Sequence, residues 1–216
     1  MKWHLAMLDV VFPEDCPGCE HPADGGALCE MCHASLPRFL RPVTAPDGIR
    51  TAWVLGTYTS PLGALVRRGK YRPDSGVFQW LGNRLGDAAA NRLPHVDMVS
   101  WVPTPWRRRF VRGFDQAELM ARPVASALNV PAVSTLRRMK ASPQTQRARH
   151  ARAQGIRGAF AVKNSWSTQP PPHSVLLVDD VVTTGATAQA CAEELLCSGV
   201  ERVHLLCVVD AVSTRL

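Results

Sequence analysis

The chain has 216 residues, 46% of them hydrophobic, and 25 Lys and Arg against 18 Asp and Glu give a net charge of +7. That length accommodates one α/β core and a small appendage, and the apolar content excludes a disordered chain. No apolar run is long enough to span a bilayer, and the N-terminus has one basic residue without the apolar stretch and cleavage site of a signal peptide, so membrane insertion is not expected and the expected compartment is the cytoplasm.

Four of the seven cysteines come first. Cys16-Pro17-Gly18-Cys19 and Cys29-Glu30-Met31-Cys32 give the spacing C-x2-C-x9-C-x2-C. Two such turns converge on a tetrahedral Zn2+ through four thiolates. A complete cysteine set leaves no position for water, so the metal is expected to be structural. A disulfide pair or a redox Cys-x-x-Cys are the competing readings. Without an export signal stable disulfides are not expected, and a redox motif leaves the second pair unexplained. Gly25 and Gly26 lie between the pairs, as in a short hairpin, and His21 and His33 read as surface residues. Cys191, Cys197 and Cys207 read as small core residues. Residues 1–46 are assigned to the ribbon and a proline-punctuated linker (37–46), and residues 47–216 to a larger domain.

In the larger domain, residues 51–58 have strand composition. Residues 62–71 and 77–93 have helical periodicity, with Gly82 and Gly86 as weak points in the second. Residues 97–102 read as a strand, 114–128 as a helix, 132–136 and 158–162 as short strands, 186–198 as a helix and 202–209 as the last strand. This alternation predicts an α/β fold, a mainly parallel sheet with helices on both faces.

Strand 97–102 ends at Pro103-Thr104-Pro105, and Arg107, Arg108, Arg109 and Arg112 follow at once. From Leu119 to Val178 there is no Asp or Glu, while Arg122, Arg137, Arg138, Lys140, Arg147, Arg149, Arg152, Arg157 and Lys163 fall in the same stretch. A field of one sign attracts polyanions. One reading is a nucleic-acid contact through Arg107, Arg108, Arg109, Arg112, Arg137, Arg138, Lys140, Arg147 and Arg149, with Trp106, Phe110 and Phe114 interleaved for stacking. The other is a solvated face.

The most informative stretch is Val175-Leu176-Leu177-Val178-Asp179-Asp180-Val181-Val182-Thr183-Thr184-Gly185-Ala186-Thr187. Residues 175–178 are apolar on both faces, as in a buried parallel strand. Asp179 and Asp180 fall at its carboxyl end, where open α/β sheets bind ligands. Thr183, Thr184, Gly185, Ala186 and Thr187 make a tight turn onto a helix N-terminus, whose free N–H groups and dipole favour an anion. The pattern is a phosphate cradle beside two carboxylates that can accept bonds from hydroxyls or hold Mg2+. Ribose 5-phosphate has that combination of groups. An ordinary strand–turn–helix is the bland alternative, and it leaves the coincidence of aliphatic run, paired acids and small residues without a reason.

This stretch resembles the phosphoribosyl pyrophosphate (PRPP) motif of type I phosphoribosyltransferases. The resemblance implies that Asp179 and Asp180 contact the ribose hydroxyls and that Thr183, Thr184, Gly185, Ala186 and Thr187 wrap the 5-phosphate. It also implies that Pro103 and Thr104 belong to a loop holding pyrophosphate, that Arg107 steadies the leaving group, and that Mg2+ accompanies PRPP. The acid-free residues 137–152 stand where that family has a mobile catalytic loop. A closer resemblance follows from Arg112-Gly113-Phe114-Asp115-Gln116-Ala117-Glu118-Leu119, similar to the Arg-Gly-Phe-Asn-Gln signature of the ComF family, proteins linked to DNA uptake in competent bacteria. Gly69-Lys70-Tyr71, Thr145-Gln146 with Arg149, Arg157-Gly158-Ala159-Phe160 and the four-cysteine ribbon match as well. Asp115 departs from the usual Asn, and an acid there would weaken polyanion contact or pair with a neighbouring arginine.

Together these resemblances imply a type I phosphoribosyltransferase fold behind a small zinc ribbon. The implied partners are PRPP or a related ribose phosphate, single-stranded DNA, and other competence proteins such as an uptake helicase. Three functions remain open at this point. The basic excess and the lack of a recognisable base pocket favour a protein that binds PRPP and single-stranded DNA. A phosphoribosyltransferase of unknown acceptor and a PRPP-responsive regulator without turnover are the alternatives.

Overall fold

Two central strands, aliphatic on both faces, organise the molecule. The computed structural model describes residues 15–23, 28–71, 74–90, 92–139, 158–166 and 170–211. In chain order the described elements are α1 (Glu30–Ala34), β1 (Arg41–Val43), β2 (Thr51–Thr57), α2 (Pro61–Tyr71), α3 (Ser75–Ala89), β3 (Met98–Trp101), α4 (Trp106–Arg112), α5 (Gln116–Leu128), β4 (Leu136–Arg138), β5 (Phe160–Val162), β6 (Ser174–Val182), α6 (Ala186–Cys197) and β7 (Arg202–Asp210). The main sheet runs β1-β2-β7-β6-β3. Its last four strands are parallel, and β1 pairs antiparallel with β2 at one edge. This is the type I phosphoribosyltransferase fold, with a four-cysteine ribbon in front of it.

Successive strand residues point to opposite faces. Leu176, Val178, Leu206 and Val208 therefore pack with α2, α3 and α5, while Val175, Leu177, Leu205 and Cys207 pack with α6. Both faces are covered, which is why β6 and β7 read as continuous apolar runs.

Helices α3 and α5 meet closely. A Cβ at Gly82 would lie 2.7 Å from Met120 Cα, and one at Gly86 would lie 3.0 Å from Ala127 Cβ. The two glycines expected to weaken this helix are the positions that let α5 approach, and tertiary contact overrides their low propensity.

Three local expectations need correction, and one segment without an assigned element proves helical. The segment 37–46 is not merely a linker, because Arg41, Pro42 and Val43 form the edge strand β1. Residues 132–136 are not a strand: Ala132 makes an isolated bridge to Val99, and β4 begins at Leu136. The cationic run after residue 105 folds as the helix α4. Cys197, read as core, is exposed at the end of α6, whereas Cys191 and Cys207 are buried.

The ribbon shares the main core. Cys16, Ala23, Leu28, Cys32, Leu36 and Leu40 belong to the same apolar cluster as Leu55, Leu62, Leu65 and Leu81. Among the described residues, no helix is long and apolar enough to cross a membrane.

Candidate functional site

Strands β3 and β6 are parallel neighbours, with Trp101 opposite Val178. The loops that leave their carboxyl ends therefore open at the same edge of the sheet, where ligands bind in this architecture. One loop is Thr183-Thr184-Gly185, leading into α6. The other is Pro103-Thr104-Pro105, leading into α4.

The first loop forms the cradle. Gly185 is the N-cap of α6 with φ 75°, a left-handed value that a side chain resists. A Cβ there would also collide with the Pro46 ring, so the turn rests on the segment after β1. Thr183 and Thr184 are exposed, and Thr184 Oγ1 accepts the Ala186 N–H at 3.4 Å. Ala186 and Thr187 open the helix, whose N-terminal N–H groups suit an anion.

β6 runs further than the sequence suggests, from Ser174 to Val182, so Asp179 and Asp180 lie within it. They leave on opposite faces of the sheet. Asp180 is 4% exposed and forms an ion pair with Lys70 Nζ at 2.9 Å. Lys70 reaches both carboxylate oxygens, Gln116 Nε2 donates to Oδ2, and Arg112 donates to Gln116 Oε1. Burial lowers the Arg112 pKa from the usual guanidinium value, against the pull of Asp180. Asp179 Oδ1 accepts the Asp180 N–H at 2.8 Å. Burial, reinforced by the Asp180 charge, pushes the Asp179 carboxyl well above the usual carboxylate range. The thiols of Cys191 and Cys207 are also pushed up by burial, which leaves them inert.

The second loop borders a cavity of about 380 Å³ between α4 and the β4–β5 ribbon. Pro103, Thr104, Arg107, Arg109, Arg137 and Arg138 all line it, together with Lys163, Trp101 and Trp106. Lys163 Nζ donates to Ser134 Oγ at 2.5 Å. Asp115 contributes the carboxylate in this wall. Its Oδ1 accepts the Thr104 hydroxyl at 2.9 Å and the Ala117 N–H at 3.1 Å, and its Oδ2 accepts the Thr104 N–H at 3.2 Å. The departure from Asn thus caps α5 and ties down the strand-end loop.

Arg108 is exposed outside the lining of this cavity, on the helix that also displays Trp106 and Phe110, 63% and 83% exposed. Lys140, Arg147 and Arg149, together with the matched Thr145-Gln146 pair, lie outside the described residues. Asp179 and Asp180 do not line the cavity. Lys70, Gln116 and Lys163 had no expected role. Lys70 and Gln116 did sit inside matched motifs, and that was the available signal.

The cysteine cluster is separate. The Sγ atoms of Cys16, Cys19, Cys29 and Cys32 lie within 4.8 Å of one another. A tetrahedron with bonds of about 2.3 Å has edges of about 3.8 Å, so a small contraction seats Zn2+. Burial works to raise the Cys16 thiol, but backbone N–H groups of Cys29 and Gly18 outweigh it and bring it down to about 6. Burial and the neighbouring sulfurs push the Cys32 thiol up. Four thiolates at this spacing need a cation between them, and the donor set fits structural zinc. Cys29 and Cys32 stand at the start of α1, so the second knuckle leads into a helical turn.

Comparison with known proteins agrees with both parts. A phosphoribosyl transferase domain model matches residues 115–216, and a double zinc ribbon domain model matches residues 7–44. The DNA utilization protein YhgH of Salmonella typhi is 31% identical over 202 residues, covering 89% of this chain and 82% of that protein. Competence protein F of Haemophilus influenzae is 26% identical over 201 residues, covering 88% and 87%. The adenine phosphoribosyltransferase structure from Trypanosoma brucei aligns with a TM-score of 0.44 and 13% identity over 80% of this chain and 87% of that one. With the ribbon, the Arg112–Leu119 motif and the fold all in one chain, the protein belongs to the ComF family.

Proposed function

We propose that this protein binds PRPP and single-stranded DNA during DNA uptake in natural transformation. The observation that carries the reading is the pairing of β3 with β6, which sets the cradle loop and the cationic loop at one sheet edge. The 5-phosphate would sit on Thr183, Thr184, Gly185, Ala186 and Thr187. Asp180 would take the ribose hydroxyls, with the sugar competing against Lys70 and Gln116 for it, and Asp179, on the opposite face of β6, would act through the Asp180 N–H that it accepts. Pro103, Thr104 and Arg107 would meet the pyrophosphate. The competence names of the relatives support a place in DNA uptake, in the cytoplasm and beside other competence proteins such as an uptake helicase.

Breaking the bond between ribose C1 and pyrophosphate builds positive charge on the sugar and negative charge on the leaving group. Catalysis of such a step is mainly positioning and electrostatics. Arg107 would stabilise the departing charge, and Asp180 would hold the sugar. Mg2+ would arrive with PRPP, and Asp180 would be the carboxylate placed to meet it. Bound there, it would act as a Lewis acid on the pyrophosphate. The exposed Trp106 and Phe110 among arginines favour strand binding, by stacking and phosphate contact, over a transferase with a free base as acceptor.

Calorimetry with PRPP and Mg2+, and titration of single-stranded DNA over a salt series, test the reading. Heat on adding PRPP and a steep salt dependence of DNA binding are expected. The double substitution Arg107→Ala with Arg108→Ala should reduce the logarithmic salt slope by about 1.4 if each arginine meets one phosphate. Silence in the calorimeter and no DNA binding at low salt would overturn it.

A further inference from the structure

The sequence expectations name two sets of residues, one for pyrophosphate and one for nucleic acid, that overlap only at Arg107. The fold merges them. Arg107, Arg109, Arg137, Arg138 and Lys163 surround one cavity of about 380 Å³, floored by the strand-end loop at Pro103 and Thr104. We infer that this cavity is a single polyphosphate subsite, used either by the diphosphate of PRPP or by backbone phosphates of single-stranded DNA, so that the two ligands exclude each other. The inference rests on the proposed function and adds the relation between its two ligands.

Three features support sharing. The cations converge from two directions: Arg107 and Arg109 come from α4, and Arg137 and Arg138 come from β4. Lys163 follows β5 and is held in place by Ser134. Planar guanidinium forks and a lysine suit paired phosphate oxygens. The volume is also limiting. Small-ligand pockets begin at about 300 Å³, so this one holds one ligand unit. Finally, the one carboxylate in the lining, Asp115, already accepts from Thr104 and Ala117, so five cations face the cavity against a single, partly satisfied anion. The cradle residues Thr183 and Thr184 lie outside the lining, so the 5-phosphate end has its own place.

The test follows anisotropy of a dye-labelled thymidine oligonucleotide on the full chain, at fixed ionic strength with sulfate as the control anion. PRPP with Mg2+ should raise the apparent Kd for DNA about tenfold when present at about nine times its own Kd. Pyrophosphate with Mg2+ should compete in the same way, and ribose 5-phosphate should not. Lys163→Gln should weaken DNA and pyrophosphate together, each by about threefold to tenfold, while leaving ribose 5-phosphate binding unchanged. Unchanged DNA affinity at saturating PRPP would overturn the sharing, with the function itself intact. Equal competition by ribose 5-phosphate would overturn the assignment to the diphosphate. If the wild-type protein bound neither PRPP nor DNA, the proposed function would fail along with this inference.

Discussion

Gly185→Ala separates the two constraints acting on the cradle. The residue has φ 75°, and a Cβ there would run into the Pro46 ring. A left-handed conformation costs a side-chain-bearing residue about 1–2 kcal/mol. Forcing a methyl into a packed contact adds about 1–3 kcal/mol, for a total of about 2–5 kcal/mol. With an unfolding entropy of about 2.1 cal/mol/K per residue, the 216-residue chain loses about 2 °C of Tm per kcal/mol. Gly185→Ala should therefore lower Tm by about 4–11 °C. Gly113→Ala is the control, because Gly113 has φ 79° but nothing within 4 Å of the added Cβ. It should lose only the conformational part, about 2–4 °C. Differential scanning calorimetry measures both. Ribose 5-phosphate titration on the folded variants should show weaker binding for Gly185→Ala alone. Equal losses of Tm would refute the packing of Pro46 on the cradle.

Lys70→Met removes the cation in contact with the buried Asp180 and leaves it with Gln116 and the more distant Arg112. A fully buried broken pair costs about 3–5 kcal/mol, and since the Lys70 side chain is 24% exposed the expected loss is about 2–3 kcal/mol, read by urea unfolding. Adding Asp180→Asn should recover most of it, and a failure to recover would mean that the ion pair is not the cause. Asp179 supplies a pH test. Its folded pKa lies above the ordinary 3.8, so the folded state holds the proton more tightly than the unfolded state, and stability falls as pH rises from 3.8 through the raised value. Asp179→Asn should gain on wild type across that rise, and parallel pH profiles would contradict the assignment. Cys29→Ser should reduce zinc by elemental analysis from one atom per chain to a small fraction. Because Cys16 and Cys32 share the core with Leu62 and Leu65, it should also lower Tm for the whole molecule rather than for the ribbon alone.

Much of the fold was legible because its signals are local. The aliphatic run before Asp179, the Thr/Gly turn and the helix that follows are contiguous, and the cysteine spacing is self-contained. What escaped depends on contacts between distant segments. Pro42 disguised β1, since proline enters a strand only where its missing N–H costs nothing, and β1 is at the sheet edge. The run Trp106-Arg107-Arg108-Arg109-Phe110-Val111-Arg112 has no buried face, so no apolar periodicity announced α4. The length of β6 is set by its pairing with β7 as far as Val182 opposite Asp210, beyond the stretch the pattern alone marked out. Lys70 and Asp180 are separated by 110 residues, and only the fold brings them together. Motif order in the sequence put the Thr183-Thr184-Gly185 turn and the Pro103-Thr104-Pro105 loop at strand ends, but did not show the meeting of cations from α4 and the β4–β5 ribbon around one cavity.

The central claim is that the turn into α6 receives a sugar phosphate. A crystal structure of the protein with PRPP and Mg2+ tests it most directly. The account expects the 5-phosphate on the N–H groups and hydroxyls of Thr183, Thr184 and Thr187, with the diphosphate beside Arg107. Ligand density elsewhere, with Lys70 and Gln116 still closed on Asp180 and the turn bare, would contradict it.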